Sequence, residues 1–214
     1  MNAALLREGA AALGVALSDH QCEQLMAYGA LILKWNKVYN LTALRDPASV
    51  LTHHLLDSLS VIAPLARECP AADAPRALLD VGAGAGLPGV VIAILRRDIH
   101  VTCLDAVAKK VAFVQQVAAE LRLPNLRGLH ARVESLDGAY DVISCRAFSS
   151  LPDFYAGSMQ LLANDGVWLA MKGKVPNDEL AQLPLDVEVF HVEHLTVPGL
   201  DAERCIVWAR KAGA

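Results

Sequence analysis

The run Leu78-Leu79-Asp80-Val81 leads into four glycines within eight positions, Gly82, Gly84, Gly86 and Gly89, and the apolar stretch from Val90 to Leu95 follows. This order reads as a strand, a tight turn and the start of a helix. Glycine at such a turn lets backbone approach a ligand, because no Cβ stands in the way. The helix start behind it offers free N–H groups and the positive end of a dipole. The chemistry that suits these residues is the cradling of a nucleotide-like cofactor.

Two cofactors compete for the turn. Gly84, Gly86 and Gly89 satisfy G-x-G-x-x-G, the dinucleotide fingerprint, but that pattern sets its first glycine directly after the strand. Here Asp80 closes the strand and Gly82 comes two residues later. The spacing Asp-Val-Gly-x-Gly-x-Gly resembles motif I of the class I S-adenosylmethionine (AdoMet) methyltransferases. The next apolar run ends at Asp105, where a carboxylate can accept from both ribose hydroxyls, and both cofactors use such an acid. A third run ends Ala131-Arg132-Val133-Glu134. Strand carboxyl ends form the crevice of a doubly wound sheet, so the Val133 backbone and the Glu134 carboxylate can meet an adenine edge there.

The run Tyr140 to Cys145 delivers Arg146-Ala147-Phe148 to the same crevice. It lacks the Asn/Asp-Pro-Pro-Tyr loop usual where an exocyclic amine is methylated. Cys145 stands near the place of a pyrimidine-C5 nucleophile, but Ser144 precedes it where that chemistry commonly has proline. Its other reading is a small buried thiol. What remains is an acceptor with its own lone pair, such as guanine N7, for which positioning and exclusion of water suffice. Arg146 can hold guanine bidentately, or grip a phosphate or the AdoMet carboxylate; its plain alternative is a structural salt bridge.

The elements that must position these residues fall into two parts. Residues 1–66 read as a helical extension. Leu5, Leu6, Leu13 and Leu17 suggest a first helix, Ser18-Asp19 caps a second, and Asp46-Pro47 opens a third that Pro64 closes. Residues 67–76 read as a linker. In 77–214, apolar runs at 77–81, 100–104, 126–130, 140–145 and 167–171 alternate with helical segments, clearest at 106–121 and 152–162. That alternation argues an α/β fold with a mostly parallel sheet and helices on both faces. The runs 187–191 and 204–208 have no helical segment between them and read as an antiparallel end pair.

The chain has 214 residues, 54% hydrophobic and 20% charged, which is enough for a sizeable core. No run reaches membrane-span length, and no secretory leader is evident at the N-terminus. The five cysteines are scattered without a C-x-x-C, as in a reduced cytoplasmic protein. A net charge of −4 gives no bulk attraction to nucleic acid, so an RNA partner must meet a local basic face. Lys34, Lys37 and Arg45, with Lys172 and Lys174, can form such a rim. Trp35, Tyr39 and Asn40 either contact RNA or pack a helix on the sheet. His53, His54 and Asp57, with no third metal ligand in evidence, read as a polar cap or an RNA contact rather than a metal site.

Taken in order, Trp35-Asn36-x-x-Tyr39-Asn40-Leu41-Thr42, His54-x-x-Asp57-Ser58, Leu87-Pro88-Gly89, Arg132-Val133-Glu134, Arg146-Ala147-Phe148 and Lys172-Gly173 closely resemble the bacterial small-subunit rRNA guanine-N7 methyltransferases, also called glucose-inhibited division protein B. The matching segments run through nearly the whole chain. The resemblance implies a Rossmann-like class I fold with a seven-stranded sheet. It implies AdoMet contacts at Gly82, Leu87, Val133, Glu134 and Arg146, with S-adenosylhomocysteine as product. It further implies methyl transfer to one guanine N7 in 16S rRNA near the decoding centre, by a monomer acting on the small subunit or its assembly intermediate. Family members often carry Ser after the ribose acid and Lys-Arg later, where this chain has Ala106 and Lys109-Lys110. The alternatives are a small-molecule AdoMet methyltransferase and a dinucleotide-binding protein.

Overall fold

The computed structural model describes residues 1–72, 74–148 and 150–213. Asp73 of the expected linker and the terminal Ala214 lie outside them.

Helix α1 (Ala3–Ala12) ends before Gly14, whose φ of +72° is a left-handed turn. Helix α2 (Asp19–Tyr39) starts from a capping box in which the Ser18 and Gln21 side chains satisfy each other's backbone N–H groups. It stops at Asn40, whose φ of 50° is left-handed. Asp46 caps α3 (Pro47–Val50), with Pro47 in the first turn. The chain then winds through a π-helical turn (Leu51–Leu56), α4 (Asp57–Leu59) and α5 (Ile62–Glu68). Pro64 therefore does not close a helix. It sits in the first turn of α5, where its missing N–H costs nothing, and α5 takes in residues 67 and 68 of the expected linker.

Strands β1 (Arg76–Val81), β2 (Ile99–Asp105), β3 (Leu126–His130), β4 (Tyr140–Arg146), β5 (Leu162–Lys172), β6 (Val187–Leu195) and β7 (Arg204–Lys211) form one sheet in the order β3-β2-β1-β4-β5-β7-β6. The first five pair in parallel, and β7 runs antiparallel to both β5 and β6. Strand β5 begins five residues earlier than its apolar core suggests, with a register shift where β4 meets it. The helix expected at 152–162 is α8 (Leu151–Ser158) followed by a 3₁₀ turn, Met159–Leu161.

Successive strand residues alternate between two cores, as the period of two requires. Leu78, Val101, Val142, Leu169 and Trp208 pack with α2, the segment 50–65, α6 (Gly89–Leu95) and α7 (Ala108–Glu120) on one face. Leu79, Ile143, Ala170 and Val207 pack with α8 on the other. The strand order reverses between β1 and β4. The crevice at a topological switch point opens at the carboxyl ends of the strands, where the glycine turn and Arg146 lie. Among the described residues no helix is long and apolar enough to cross a membrane.

Candidate active site

The glycine turn is held from behind. Asp80 is fully buried; its Oδ2 accepts from the Gly89 N–H at 2.9 Å and its Oδ1 from the Ser144 hydroxyl at 2.9 Å. Burial pushes its carboxyl up to about 6, and those two donors oppose the shift by favouring the charged form. A Cβ on Gly89 would stand 2.5 Å from Cys103 Sγ and 2.8 Å from Asp80 Oδ2. Gly86, at φ +86°, is equally tight: a Cβ there would meet Val90 Cγ2 at 2.5 Å. Tyr28 of α2 adds a strut, its hydroxyl 2.6 Å from the Ala85 carbonyl and 3.2 Å from that of Gly86. Asp80 and Gly86 thus build the turn from behind and line neither cavity described below.

In front of the turn lie two cavities that share Gly82. The smaller, about 200 Å³, is walled by Val81, Leu104, Val133 and Phe148, with Asp105 and Glu134 among its lining residues. Asp105 Oδ2 accepts from the Gly84 N–H at 3.0 Å and Oδ1 from the Val107 N–H at 2.8 Å, and Lys110 Nζ is 3.7 Å away. Its remaining lone pairs are left for a ligand. A Cβ on Gly82 would approach the Phe148 ring at 3.5 Å, at the join between the two cavities. An apolar slot with acids on its rim fits a nucleoside, base between the apolar walls and ribose at the carboxylate. That donor set fits the adenosine of AdoMet.

The larger cavity, about 570 Å³, is lined by Gly84 and Leu87 of the turn and by Leu41, Thr42, His53, His54, Asp57, Lys110, Arg146, Lys172 and Arg204. Its far wall is a buried ion cluster. Asp57, 2% exposed, takes Arg146 Nη1 at 2.9 Å on Oδ2 and Arg204 Nε at 2.7 Å on Oδ1. Arg146 Nη1 also donates to the His53 carbonyl at 3.0 Å. The π-helical turn carries both histidines into this contact. After Arg146, Ala147 takes φ +57°, an uncommon left-handed geometry without glycine, and the chain turns along the cavity wall.

His54 is buried in the wall of this cavity. Its Nδ1 lies 3.0 Å from the His53 carbonyl and 3.4 Å from Arg146 Nη2. The shorter contact, to an acceptor, puts the ring proton on Nδ1, so Nε2 accepts from the Thr42 hydroxyl at 2.8 Å. Burial, then the Arg146 charge, lower its pKa to about 4, so the ring is neutral at physiological pH. His53 Nδ1 is buried without a protein partner and belongs to the same lining. Cys145 is buried, its thiol pushed far up by burial and the neighbouring Asp80, and it is no nucleophile at neutral pH.

The expected basic rim divides. Lys172 lines the larger cavity but gives its ammonium to both Glu179 oxygens, at 3.0 and 2.8 Å. Lys37 and Arg45 line a separate groove with Leu33, Asn36 and Pro47. Lys34 and Lys174 are exposed and lie outside these linings. Trp35 packs α2 on α7, its ring 5.3 Å edge-on from Phe113. Sequence reasoning missed Arg204 and Tyr28. Neither has a local signal; each acts on residues far along the chain.

The profile for rRNA small subunit methyltransferase G, the GidB family, matches residues 21–207. A ribosomal RNA small subunit methyltransferase G from Acidovorax sp. strain JS42 is 62% identical over 211 residues, covering 96% of this chain and 93% of the relative. That of Paracidovorax citrulli is 60% identical, covering 96% and 88%. Among solved structures, TrmN from Thermus thermophilus aligns with TM-score 0.57 at 18% identity, over 75% of this chain and 53% of that one. The 1,6-didemethyltoxoflavin-N1-methyltransferase of Burkholderia thailandensis, solved with S-adenosylhomocysteine, aligns with TM-score 0.57 at 19% identity, over 86% and 89%. At these identities the likeness is one of fold. With most of its length matched by the profile and by relatives of this identity, the chain belongs to the rRNA small subunit methyltransferase G family.

Proposed function

We propose that this protein transfers a methyl group from AdoMet to the N7 of one guanine in the 16S rRNA of the small ribosomal subunit. The observation that carries the reading is a cofactor-shaped slot opening onto a cavity around which, among the described residues, the candidate bases other than His53 are engaged or protonated. Asp57 is committed to two guanidiniums, His54 is neutral with its basic nitrogen occupied by Thr42, and the Cys145 thiol is buried and protonated. An exocyclic amine or a pyrimidine carbon needs such help; guanine N7 brings its own lone pair.

Asp105 would hold the ribose, Val133 and Glu134 the adenine edge, and the backbone of Gly82 and Gly84 with Leu87 the methionine arm. Asp80 and Gly86 would act only through the turn they shape. Bound there, AdoMet supplies an electrophilic methyl on sulfonium sulfur. Arg146 would steer the guanine to that methyl and keep it in line, while Leu41 and Leu87 exclude water. Extraction of the base from its stack fits a recessed site. Lys37, Arg45, Lys34 and Lys174 would meet RNA outside the cavity.

The test is mass spectrometry of 16S rRNA from cells with and without the gene, together with calorimetric titration of AdoMet. One 7-methylguanosine should vanish in the deletion strain and return with the gene. Its persistence would end the substrate claim, and binding of NAD without AdoMet would end the cofactor claim.

A further inference from the structure

We propose that Arg146 and Arg204, bridged by Asp57, form an anion subsite for a backbone phosphate of the RNA strand that carries the target base. The proposal rests on the methyltransferase reading above and names a contact that reading leaves open.

Charge around the larger cavity is unevenly cancelled. Lys172 is neutralised by Glu179 and Lys110 lies beside Asp105. Two guanidiniums share the single carboxylate of Asp57, which leaves one positive charge in a cluster that is three-quarters or more buried, with side-chain exposures of 21%, 23% and 2% for Arg146, Arg204 and Asp57. His54 adds none, since it stays neutral. A surplus cation held in so little water calls for an anionic ligand.

Geometry aims it. Arg204 spends Nε on Asp57 and Nη1 on the Glu203 carbonyl at 2.8 Å, and its Nη2 has no protein partner among the described residues. Arg146 likewise keeps Nε free of a protein acceptor. Both side chains line the cavity. Guanidinium pairs grip phosphate through such forks, and a lysine keeps the charge of that grip though not its planar geometry.

Position separates the two anions that a methyltransferase meets. A cofactor carboxylate would lie at the glycine turn, at the end of β1. Arg204 starts β7, three strands away in the order β1-β4-β5-β7. At about 4.8 Å per strand this is roughly 14 Å across the sheet. Arg204 therefore enters the cluster from the acceptor side of the cavity, while Arg146, at the end of β4 beside β1, stands between it and the glycine turn.

The experiment measures methyl transfer to small ribosomal subunits from cells lacking the gene, over a range of salt, for wild type, Arg204→Ala, Arg204→Gln and Arg204→Lys. Circular dichroism and melting midpoint check folding. The Gln variant keeps a hydrogen bond to Asp57 without the charge, should the Ala variant fail to fold. Loss of the charge should raise KM for the subunit about tenfold and reduce the log–log salt slope by about one. The AdoMet Kd should stay within about twofold, and Lys should recover most of the KM. An unchanged KM and slope would overturn the proposal. A rise in the AdoMet Kd of equal size would overturn it too, by giving the anion to the cofactor carboxylate, as would a Lys variant no better than Gln. Failure of the wild type itself to methylate RNA would instead overturn the reading beneath it.

Discussion

The two walls of the cavity are built from different materials. The glycine wall is backbone: Gly82, Gly84 and Leu87 face the cavity, and Asp80, Gly86, Gly89 and Tyr28 brace them from behind. The arginine wall is side chain: Arg146, Asp57, Arg204 and His54 come from β4, the start of α4, β7 and the π-helical turn. A backbone wall keeps its shape while the side chains around it vary in charge, which suits one invariant cofactor. A side-chain wall carries charge and shape in named groups, which suits a particular substrate.

If that division holds, the largest effect falls on the arginine wall. Arg146→Ala should cut methyl transfer by at least about 100-fold, the scale of a misplaced reactant, with AdoMet affinity nearly kept. A near-normal rate in a single-turnover assay would make Arg146 a structural residue. Asp57→Ala should cost about 3–5 kcal/mol in denaturant unfolding, because it strands two buried guanidiniums. A loss below 1 kcal/mol would mean that water reaches the cluster freely.

Gly89→Ala tests the other wall. Its Cβ would collide with Cys103 and Asp80, so about 1–3 kcal/mol of stability and most AdoMet binding should go together. Normal AdoMet affinity in this variant would show that the turn is shaped without Asp80. A finer distinction comes from pH. The His54 pKa is lowered in the fold, so the unfolded chain binds the proton more tightly. Stability is then fully present above about 6.5 and lost as pH falls toward about 4. Asp80 has the opposite sign, because its raised pKa favours the fold as pH drops through about 6. Wild type compared with His54→Gln cancels Asp80, and the difference should reach a few kcal/mol at pH 4.5. Parallel curves would remove His54 from the account. The smallest effect belongs outside both walls: Lys37→Ala and Arg45→Ala should each lower the salt slope of RNA binding by about one with kcat unchanged.

The two walls were also unequally legible. The glycine wall could be read because its residues, Tyr28 apart, lie within ten positions, and Asp105 is only 21 residues from its Gly84 partner. Strand, turn and helix punctuate it in sequence. What could not be read was direction: nothing in Asp80-Val81-Gly82 says that the carboxylate turns inward to Gly89 and Ser144. The arginine wall joins residues 89 and 147 positions apart, and only the sheet order brings them together. Arg146 was visible because it ends a strand at the crevice. Arg204 ends no motif, and its partner Asp57 looked like part of a helical pair with His54. Helix boundaries in 46–68 slipped because a π-helical turn has no local propensity signature, and because Pro64 fits a first turn as well as a stop.

The Tyr28 strut has a consequence for how the chain is made. Its carbonyl partners are 57 and 58 residues further on, and Gln24 of the same helix donates to the Leu121 carbonyl, 97 residues on. At 5–20 residues per second of synthesis, the face of α2 waits about 3–11 s for the glycine turn, and roughly 5–19 s for Leu121. For those seconds Leu25, Tyr28 and Ile32, all fully buried in the finished protein, are apolar surface on a nascent chain. Until the glycine turn and Leu121 have been translated, α2 therefore lacks the partners that Tyr28 and Gln24 hold in the finished fold.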